Sequence, residues 1–524
     1  MKRALLAIVL LSAALAAAPA DTRATELLVQ SNLSSGSLNL LCLLKGCKVT
    51  RTVLGSPSNF YVLSVSSSAN AGFLSSLLRT VAGIQNVVQL DDDNDPLGNR
   101  FIVHVGNGGL LNLQAICNLG FCQVLQPLDG ALNQVFLVAA PANQDTNLIL
   151  NILRAVPGVL NVELDQLVRL GTGSAQATTP PPSLVDTTSV TYFNSTVWQG
   201  YVNQPAAQII RLSNAQHTFG VSGSGIIADI DTGVDPEHPV LKPVLLPGYD
   251  FTRNQVGGSE MNDLPSGTPI TETPCVNCTP TQVNQHSIAM VDQHSIAMVD
   301  QHSIAMVDSP EYADFGHGTM VAGVLHLVAP TASIMPLKSF GADGTGSLSN
   351  IIRAVYYATQ NHASVVNMSF DLPTPSHELS TAINSAERQG IVFVASAGND
   401  GQLKMVYPAG YSNVMGVAST NNDDQRSTFS NYGDQIVWVA APGEAIVTTY
   451  PFGGYAAGWG TSFSAPMVSG SVSLLSTSSS QLDQAQAQTD IAHAHLLFAF
   501  GMGTGRLNVY RAVAASRTSQ GGLW

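Results

Sequence analysis

The sequence predicts an α/β fold in which a mostly parallel sheet carries helices on both faces, preceded by two small α+β units. Two patterns predict it. In the second half of the 524-residue chain, short apolar runs alternate with helical stretches, which is typical of parallel strands buried on both faces. In the first half, the succession of a strand, a helix, a glycine turn and a second strand occurs twice.

The composition indicates a folded protein with a large core and argues against a nucleic-acid binder. Hydrophobic residues make up 45% of the chain and charged residues only 11%, so a core can form beneath a surface of uncharged polar residues. The 21 basic residues are outnumbered by 35 acidic ones, which gives a net charge of −14. Because nucleic-acid binding needs clustered basic charge, we expect no such partner.

Residues 1–20 have the pattern of a secretory signal peptide: two basic residues, an apolar run and the small-residue cleavage site Ala18-Pro19-Ala20. The alternative is a membrane anchor, for which the apolar run is short. The mature protein is therefore expected to be exported, to the periplasm or outside the cell, with no membrane contact after signal cleavage.

Two copies of one pattern fill the first part of the chain. They are offset by 75 residues, as the pairs Cys42 and Cys117, Cys47 and Cys122, Leu78 and Leu153, and Gly83 and Gly158 show. Each copy has apolar residues at helical spacing between its two strands. We therefore expect two tandem α+β units, at residues 25–95 and 100–168.

The six cysteines form three close pairs in the sequence, and the third pair is Cys275 with Cys278. Because export permits disulfides, local disulfide bonds are the expected outcome. Half of a zinc site is the alternative for the third pair, but the chain has no second Cys-x-x-Cys to complete it.

A linker and a larger domain follow the two units. Glycine, serine and proline are frequent near the start of residues 169–194, which is typical of a linker. The larger domain is expected at 195–515. Its predicted strands are 225–230, 332–337, 364–368, 390–395, 414–418 and 436–440.

One octapeptide, Gln-His-Ser-Ile-Ala-Met-Val-Asp, occurs three times without change at residues 285–308. Such identity over short units indicates a recent duplication, because solenoid repeats are longer. The three histidines suggest a metal site as an alternative. No other ligand set accompanies them, so we favour a surface insertion.

Four polar side chains lie at predicted strand or helix ends. Asp231 ends an apolar strand, His317 stands between two glycines before a helix, Asn399 follows a strand, and Ser462 precedes a helix. Each alone has an ordinary structural explanation as a turn former, a structural histidine or a helix N-cap. Together they supply a carboxylate, an imidazole, an amide donor and a hydroxyl.

This set is what catalysis by a serine nucleophile requires. A serine hydroxyl needs a base, which is best a histidine held in one tautomer by a buried carboxylate, and the oxyanion needs donors already in place. The order along the chain is Asp, His, Ser. Alpha/beta-hydrolases instead have the order Ser, acid, His and place their serine in Gly-x-Ser-x-Gly.

The motifs around these residues resemble the signature motifs of the subtilases, the subtilisin-like serine proteases. They are Asp231-Thr232-Gly233, His317-Gly318-Thr319 with Val321-Ala322-Gly323, Gly398-Asn399, and Gly460-Thr461-Ser462 with Ala465-Pro466. The resemblance covers about 195–515 and implies a subtilisin-like three-layer fold. It implies that Asp231, His317 and Ser462 form a catalytic triad. Asn399 and the backbone N–H of Ser462 would form the oxyanion hole.

The same resemblance assigns substrate binding to Ser369, Phe370 and Asp371, which would pair with a peptide or protein substrate in an extended conformation. It implies that the two front units are propeptide-like and are cut off within 169–194. The unit nearer the linker, which ends at Leu164-Asp165, is the better candidate inhibitor. No cofactor is implied. Calcium is common in the family, but this sequence contains no ligand set specific enough to assign, so no metal-binding residue is predicted.

Some positions depart from the family pattern. Asp371 stands where glycine is usual, beside the pocket for the residue preceding the scissile bond, and either favours basic side chains there or points to water. Val406 replaces a residue that is often small. Asp229 lies in a strand expected to be buried, and the sequence indicates no partner for it. The spacing from Asp231 to His317 is long, so 255–315 is interpreted as an insertion near the cleft.

The main hypothesis is a secreted, self-processed serine endopeptidase that acts through an acyl-enzyme. One alternative is a catalytically silent subtilase-like scaffold used for binding, which a cleft blocked by the insertion would favour. Another is a structural or adhesive surface protein, which would retain the duplicated cysteine units.

Overall fold

The computed structural model describes residues 25–54, 59–65, 68–90, 97–170, 181–264, 296–298, 310–477 and 482–519. The chain divides into two compact units, Met1–Pro127 with Leu132–Leu164 and Leu128–Ala131 with Asp165–Trp524. The predicted signal peptide, the pair Cys275 and Cys278, and most of the triple octapeptide lie outside the described residues.

The first unit contains two modules with the same order of elements. These are β1 (Thr25–Ser31), α1 (Ser35–Lys45), β2 (Cys47–Leu54), β3 (Phe60–Val65), α2 (Ser68–Leu78) and β4 (Ile84–Leu90), followed by β5 (Leu97–Val105), α3 (Gly109–Ile116), β6 (Gln123–Pro127), β7 (Val135–Pro141), α4 (Thr146–Ala155) and β8 (Val159–Leu164). Each module forms a four-stranded antiparallel sheet, in the orders β2-β3-β1-β4 and β6-β7-β5-β8.

Local signals set the ends of these helices. Ser34 caps α1 by accepting a hydrogen bond from the Ser37 amide, and Gly46 ends it in the left-handed conformation that glycine adopts without strain. Asp145 caps α4 in the same way as Ser34 caps α1. Disulfides Cys42–Cys47 and Cys117–Cys122 tie the helix region of each module to its next strand, which confirms the local bonds expected for these two pairs.

The sheet of the first module is buried on both faces. One face packs on its own helices α1 and α2 through Leu27 and Leu63. The other face, with Leu28 and Val62, belongs to the core of the second module, where β2 and β4 contact α3 and α4. The first module therefore lays its sheet over the helices of the second.

This stacking makes equivalent helix positions differ in exposure. Ile116 and Ile152 of the second module are fully buried, whereas Leu41 and Leu77, which correspond to them in the first module, are only half-buried. Beside this face, Leu44 is 64% exposed and Phe73 54% exposed. The helix face that is buried in the second module is thus partly exposed to solvent in the first.

The second unit carries the remaining elements. They are β9 (Leu167–Arg169), β10 (Ser189–Tyr192), β11 (Ser195–Trp198), α5 (Gln199–Val202), α6 (Pro205–Ile209), α7 (Leu212–Phe219), β12 (Ile226–Asp231), β13 (Tyr249–Asp250), β14 (Gln255–Val256), β15 (Ile296–Met298), α8 (His317–Val328), β16 (Ser333–Lys338), β17 (Thr345–Ser347), α9 (Leu348–Gln360), β18 (Val365–Met368), α10 (His377–Glu387), β19 (Val392–Ser396), β20 (Met415–Thr420), β21 (Val439–Pro442), β22 (Ile446–Tyr450), β23 (Gly454–Gly458), α11 (Thr461–Ser476), α12 (Gln484–Ile491) and α13 (Val509–Ser519).

Eight strands form the central sheet of this unit, in the order β14-β13-β16-β12-β18-β19-β20-β21. All neighbours are parallel except the edge pair β13–β14. Helices α8, α11 and α13 share one core with alternate residues of the sheet, whereas α9 and α10 contact each other and the sheet outside that core. The predicted α/β fold, with a mostly parallel sheet covered on both faces, is confirmed.

Two sequence expectations need adjustment. The strand expected at 436–440 begins only at Val439, because the amides of Ile436 and Val437 both bond to the carbonyl of Gly433 in a turn. Residues 255–264, interpreted as the start of an insertion, belong instead to the sheet through β14 and to the site described below. Within the triple octapeptide, β15 pairs with β23.

The stacking of the modules can be tested with a matched pair of truncations. We expect Ile116→Ala to lower the free energy of unfolding of the first unit by about 3 kcal/mol, because it opens a cavity between two packed layers. Leu41→Ala, at the equivalent but half-buried position, should cost less than half as much. Scanning calorimetry of the full-length protein measures both, and equal losses would contradict the stacking.

Candidate active site

The candidate residues meet at the carboxyl edge of the central sheet. Asp231 is the last residue of β12, and its side chain shares the strand face of Ile227, which packs in the core with α8 and α11. His317 is the first residue of α8, and Ser462 lies in the first turn of α11. Alternation along one strand thus directs the carboxylate toward the starts of two helices.

Asp231 and His317 are in direct contact. His317 Nδ1 lies 2.6 Å from Asp231 Oδ1, and both side chains are buried. The Thr232 amide donates to the same oxygen at 2.7 Å. Close approach depends on Gly318, because a Cβ there would collide with the carbonyl oxygen of Gly233. The contact fixes the imidazole as a donor at Nδ1, which leaves Nε2 as the ring nitrogen that can accept a proton.

The pKa of His317 is set by opposing effects. Burial lowers it, but the charge and hydrogen bond of Asp231, with the charges of Asp314 and Asp229, more than reverse this and raise the pKa to about 9. The imidazolium is therefore stabilised by its surroundings, which is the property a general base needs when it holds a proton during a reaction.

Ser462 is held by a reciprocal contact with Ser369. Its Oγ donates to the carbonyl of Ser369 at 3.3 Å, and Ser369 Oγ donates to the carbonyl of Ser462 at 3.1 Å. Pro466 lies in the second turn of the helix. Because proline has no amide hydrogen, the Ser462 carbonyl loses its partner within the helix, and Ser369 supplies a replacement.

Asn399 is oriented by the residue next to Ser462. Its Oδ1 accepts hydrogen bonds from the Thr461 amide at 2.8 Å and the Thr461 hydroxyl at 2.9 Å. These two donors identify the oxygen end of the amide, so Nδ2 is the opposite end. Nδ2 is buried and has no hydrogen-bond partner among the described residues. It is therefore an unused donor beside Ser462.

The predicted substrate-binding residues Ser369, Phe370 and Asp371 follow β18. The ring of Phe370 packs against Phe340, with centroids 5.2 Å apart. Strand β9 lies alongside: it pairs antiparallel with β17, and its last residue, Arg169, bridges to Asp371. An extended segment of the chain thus runs between β17 and Asp371.

Sequence reasoning missed Glu260, a fully buried carboxylate behind the Asp231–His317 contact. Glu260 Oε2 accepts from Thr232 Oγ1 at 3.1 Å and from the Gly316 amide at 2.9 Å, and Oε1 accepts from Thr319 Oγ1. Thr232 follows Asp231, and Gly316 precedes His317. One carboxylate therefore braces both loops that carry the contacting side chains.

Both hydroxyls donate to Glu260 and also accept a hydrogen bond from a backbone amide. Thr232 Oγ1 already accepts from the Gly318 amide at 2.9 Å, and Thr319 Oγ1 accepts from the Asp235 amide at 2.8 Å. Burial raises the pKa of Glu260 to about 8, while the Thr319 hydrogen bond and the charge of Lys338 oppose that rise. No local pattern marks this residue in the sequence, because its partners lie 28 to 59 positions away.

Lys338 was also missed, and it links the same loop to a surface ion pair. Its Nζ donates to the carbonyls of Thr232 and Phe340 and to Asp263 Oδ2, each at 2.7 Å. Asp263 in turn accepts from Arg253 at 2.6 Å. The ammonium group thus donates a hydrogen bond to the carbonyl of Thr232, the residue that follows Asp231.

Asp229, for which the sequence indicated no partner, accepts a hydrogen bond from Asn367 Nδ2 at 3.0 Å. Asn367 Oδ1 accepts from Ser469 of α11 at 2.8 Å. Burial, followed by the charge of Asp231, raises the pKa of Asp229 well above its usual range. The protonated form of Asp229 is therefore favoured.

The described residues contain no group of three or more histidine, cysteine, aspartate or glutamate side chains that could hold a metal ion. Within the same residues, no helix combines the length and hydrophobicity that a membrane span requires.

Comparisons with known proteins bear on the family to which the chain belongs. The subtilase family model matches residues 223–505, more than half of the chain. Thermitase from Thermoactinomyces vulgaris is 32% identical over 309 residues, which cover 56% of this chain and 89% of thermitase. The chain therefore belongs to the subtilase family.

Two further comparisons cover different shares of this chain. Subtilisin BL from Lederbergia lenta is 39% identical over 169 residues, 30% of this chain and 62% of that protein, so the chain spans less than two thirds of it. The crystal structure of fervidolysin from Fervidobacterium pennivorans, a keratinolytic enzyme related to subtilisin, covers 81% of this chain and 62% of its own, with a TM-score of 0.59 and 20% identity. That likeness supports the fold.

The bracing by Glu260 can be tested by Glu260→Gln. The amide presents a donor where the carboxylate accepts, so one of the three bracing hydrogen bonds is lost, and we expect roughly tenfold slower labelling of Ser462 by a fluorophosphonate. Glu237→Gln, at an exposed glutamate, is the matched control and should label like the unmodified protein. Equal rates for both variants would contradict the bracing role.

Proposed function

We propose that this chain is a secreted serine endopeptidase that hydrolyses peptide bonds through an acyl-enzyme and is made as a self-processed zymogen. The observation that carries the proposal is the contact between Asp231 and His317, with Ser462 and the unused Asn399 amide at the same edge of the sheet. Membership of the subtilase family supports it.

In the proposed reaction, Ser462 Oγ attacks the carbonyl carbon of the scissile peptide bond while His317 Nε2 takes the hydroxyl proton. Asp231 holds the imidazole through Nδ1 and stabilises its positive charge. The imidazolium then gives its proton to the leaving amine as the carbon–nitrogen bond breaks. Water attacks the resulting ester with His317 again as base, which releases the acid and restores Ser462.

The tetrahedral oxyanion would lie between Asn399 Nδ2 and the backbone N–H of Ser462. The asparagine amide is already oriented by Thr461, so no reorganisation is needed when charge develops. The Ser462 amide lies in the first turn of α11, where N–H groups have no partner within the helix and the helix dipole favours negative charge.

Strand β9 supports self-processing. It lies between β17 and Asp371 as an extended substrate would, and Asp165 anchors its approach by accepting from the amide and hydroxyl of Ser349, both at 2.8 Å. We propose that the chain holds this segment in its own cleft and that the cut falls downstream of it, within 169–194. The two modules of the first unit would then be the propeptide.

Export is proposed from the signal-peptide pattern of residues 1–20 and agrees with the two disulfides, since such bonds persist in oxidising compartments. Extended peptides and proteins are the proposed substrates, read mainly through their backbone.

The test of the proposed function is labelling by a fluorophosphonate, which reacts only with an activated serine. We expect the unmodified protein, once it has processed itself, to be labelled and Ser462→Ala not to be. Ser476→Ala, which removes a hydroxyl at the far end of α11, is the matched control and should label normally.

The same pair of proteins tests self-processing. The unmodified chain should yield a new N-terminus within 169–194, whereas Ser462→Ala should stay intact. Absence of labelling in a folded and processed protein would contradict the catalytic proposal and favour the silent scaffold.

The pH dependence follows from the raised pKa of His317. The base must be neutral to accept the serine proton, and with a pKa of about 9 it is protonated below that pH. We expect kcat/KM on an uncharged peptide to rise with pH and to reach half its maximum near pH 9. Circular dichroism at each pH controls for unfolding, and a flat profile between about pH 7 and 10 would contradict the assignment.

A further inference from the structure

Asp371 lies beside the oxyanion donor. Its Oδ2 would be 2.5 Å from a Cβ added at Gly398, the residue that precedes Asn399. It is also two residues beyond Ser369, whose carbonyl accepts from Ser462 Oγ. The carboxylate therefore stands between the ends of β18 and β19, next to the place where the scissile carbonyl must lie.

This carboxylate has no counter-charge of its own. No hydrogen bond or ion pair joins it to another side chain among the described residues. The neighbouring Asp400, in contrast, is matched by Lys404 Nζ at 2.9 Å and by Asn431 Nδ2 at 3.2 Å. Lys404, whose charge lowers the pKa of Asp371, is thus engaged by Asp400.

The surroundings of Asp371 do not match a carboxylate that points to open water. The residue is half-buried. Burial, followed by the charge of Asp400, raises its pKa to about 6, against the lowering effect of Lys404. At neutral pH and above, Asp371 is therefore an ionised, partly desolvated group without a partner, which a cation would stabilise.

The position of the scissile carbonyl identifies that cation. A carbonyl placed between Ser462 Oγ and Asn399 Nδ2 belongs to the residue preceding the scissile bond. Segments 369–371 and 396–399 flank that place, since Ser369 accepts from Ser462 Oγ and Asn399 carries the unused amide, and the side chain would leave between them. A lysine or arginine side chain in that direction would reach the carboxylate of Asp371.

We propose that Asp371 is a specificity-determining residue that selects substrates with lysine or arginine immediately before the scissile bond. The inference rests on the proposed function and names the substrate class of that same site. Asp371 acts by pairing with the substrate cation and takes no part in bond breaking.

The test compares two peptides that are identical except for lysine or norleucine before the scissile bond. Norleucine has the same unbranched carbon chain without the charge, so the ratio of the two kcat/KM values isolates the ammonium group. We expect the self-processed, unmodified protein at about pH 8 to prefer lysine by roughly 10- to 100-fold, the range for a hydrogen bond to a charged group.

Asp371→Asn keeps the shape of the side chain and removes its charge, so the ratio should fall to near 1. Asp423→Asn changes the net charge equally at an exposed site and should keep the original ratio. Fluorophosphonate labelling of Asp371→Asn shows whether its catalytic groups are intact. In the unmodified protein the ratio should also decline as pH falls below about 6, because Asp371 becomes protonated; the titration of His317 cancels because both peptides share it.

The outcomes separate this inference from the proposed function. A ratio near 1 in the unmodified protein, or a lysine preference that survives in a labelled Asp371→Asn variant, overturns the role of Asp371 while the peptidase proposal stands. Cleavage of neither peptide, together with absent labelling, overturns the proposed function and this inference with it.

Discussion

The hydrogen bond between Asp231 and His317 is the contact around which the second unit is arranged. It joins the end of a strand to the start of a helix 86 residues later. Neither loop could hold this geometry alone, because a strand end and a helix start each have freedom to shift. Glu260 limits that freedom from behind, and Lys338 limits it from the side by binding the backbone after Asp231. The parallel sheet fixes the approximate positions of the two loops, and a few buried polar groups fix the positions of the Asp231 and His317 side chains.

The Asp231–His317 hydrogen bond lies among several buried acidic side chains. Asp229, Asp231 and Glu260 are all buried. Lys338 donates to the backbone that follows Asp231, and Arg253 donates to the backbone that follows Glu260. Neutral groups supply most of the hydrogen bonds to these buried carboxyl groups. The Asn367 amide donates to Asp229, and the Thr232 and Thr319 hydroxyls donate to Glu260. The field at His317 comes first from the charge of Asp231, which the Thr232 amide stabilises without cancelling it. That field is what keeps the imidazole basic.

Much of the fold and the central candidate residues could be predicted from the sequence, because their signals are local. Asp231 ends an apolar strand, His317 is flanked by glycines, and the modules repeat at a constant offset. Glu260 could not be predicted, since it lies in a polar segment without periodicity and its partners are distant in sequence. The two hydrogen bonds in which Ser369 and Ser462 each donate to the other's carbonyl could not be predicted either, because they depend on which helical turn contains Pro466. Local chemistry marks where a site can form, and long-range packing decides what holds it.

The stacked modules of the first unit bear on how this chain could have lengthened. Each module offers one apolar sheet face and one apolar helix face, and the sheet of the first covers the helices of the second. Adding a copy of such a module leaves the total exposed apolar area unchanged. The sheet of the new copy covers the helix face of the old one, and the helix face of the new copy is exposed in its place. Leu44 and Phe73 mark where that surface now lies. A gene duplication of this kind creates no unmatched surface, so it can persist without compensating mutations.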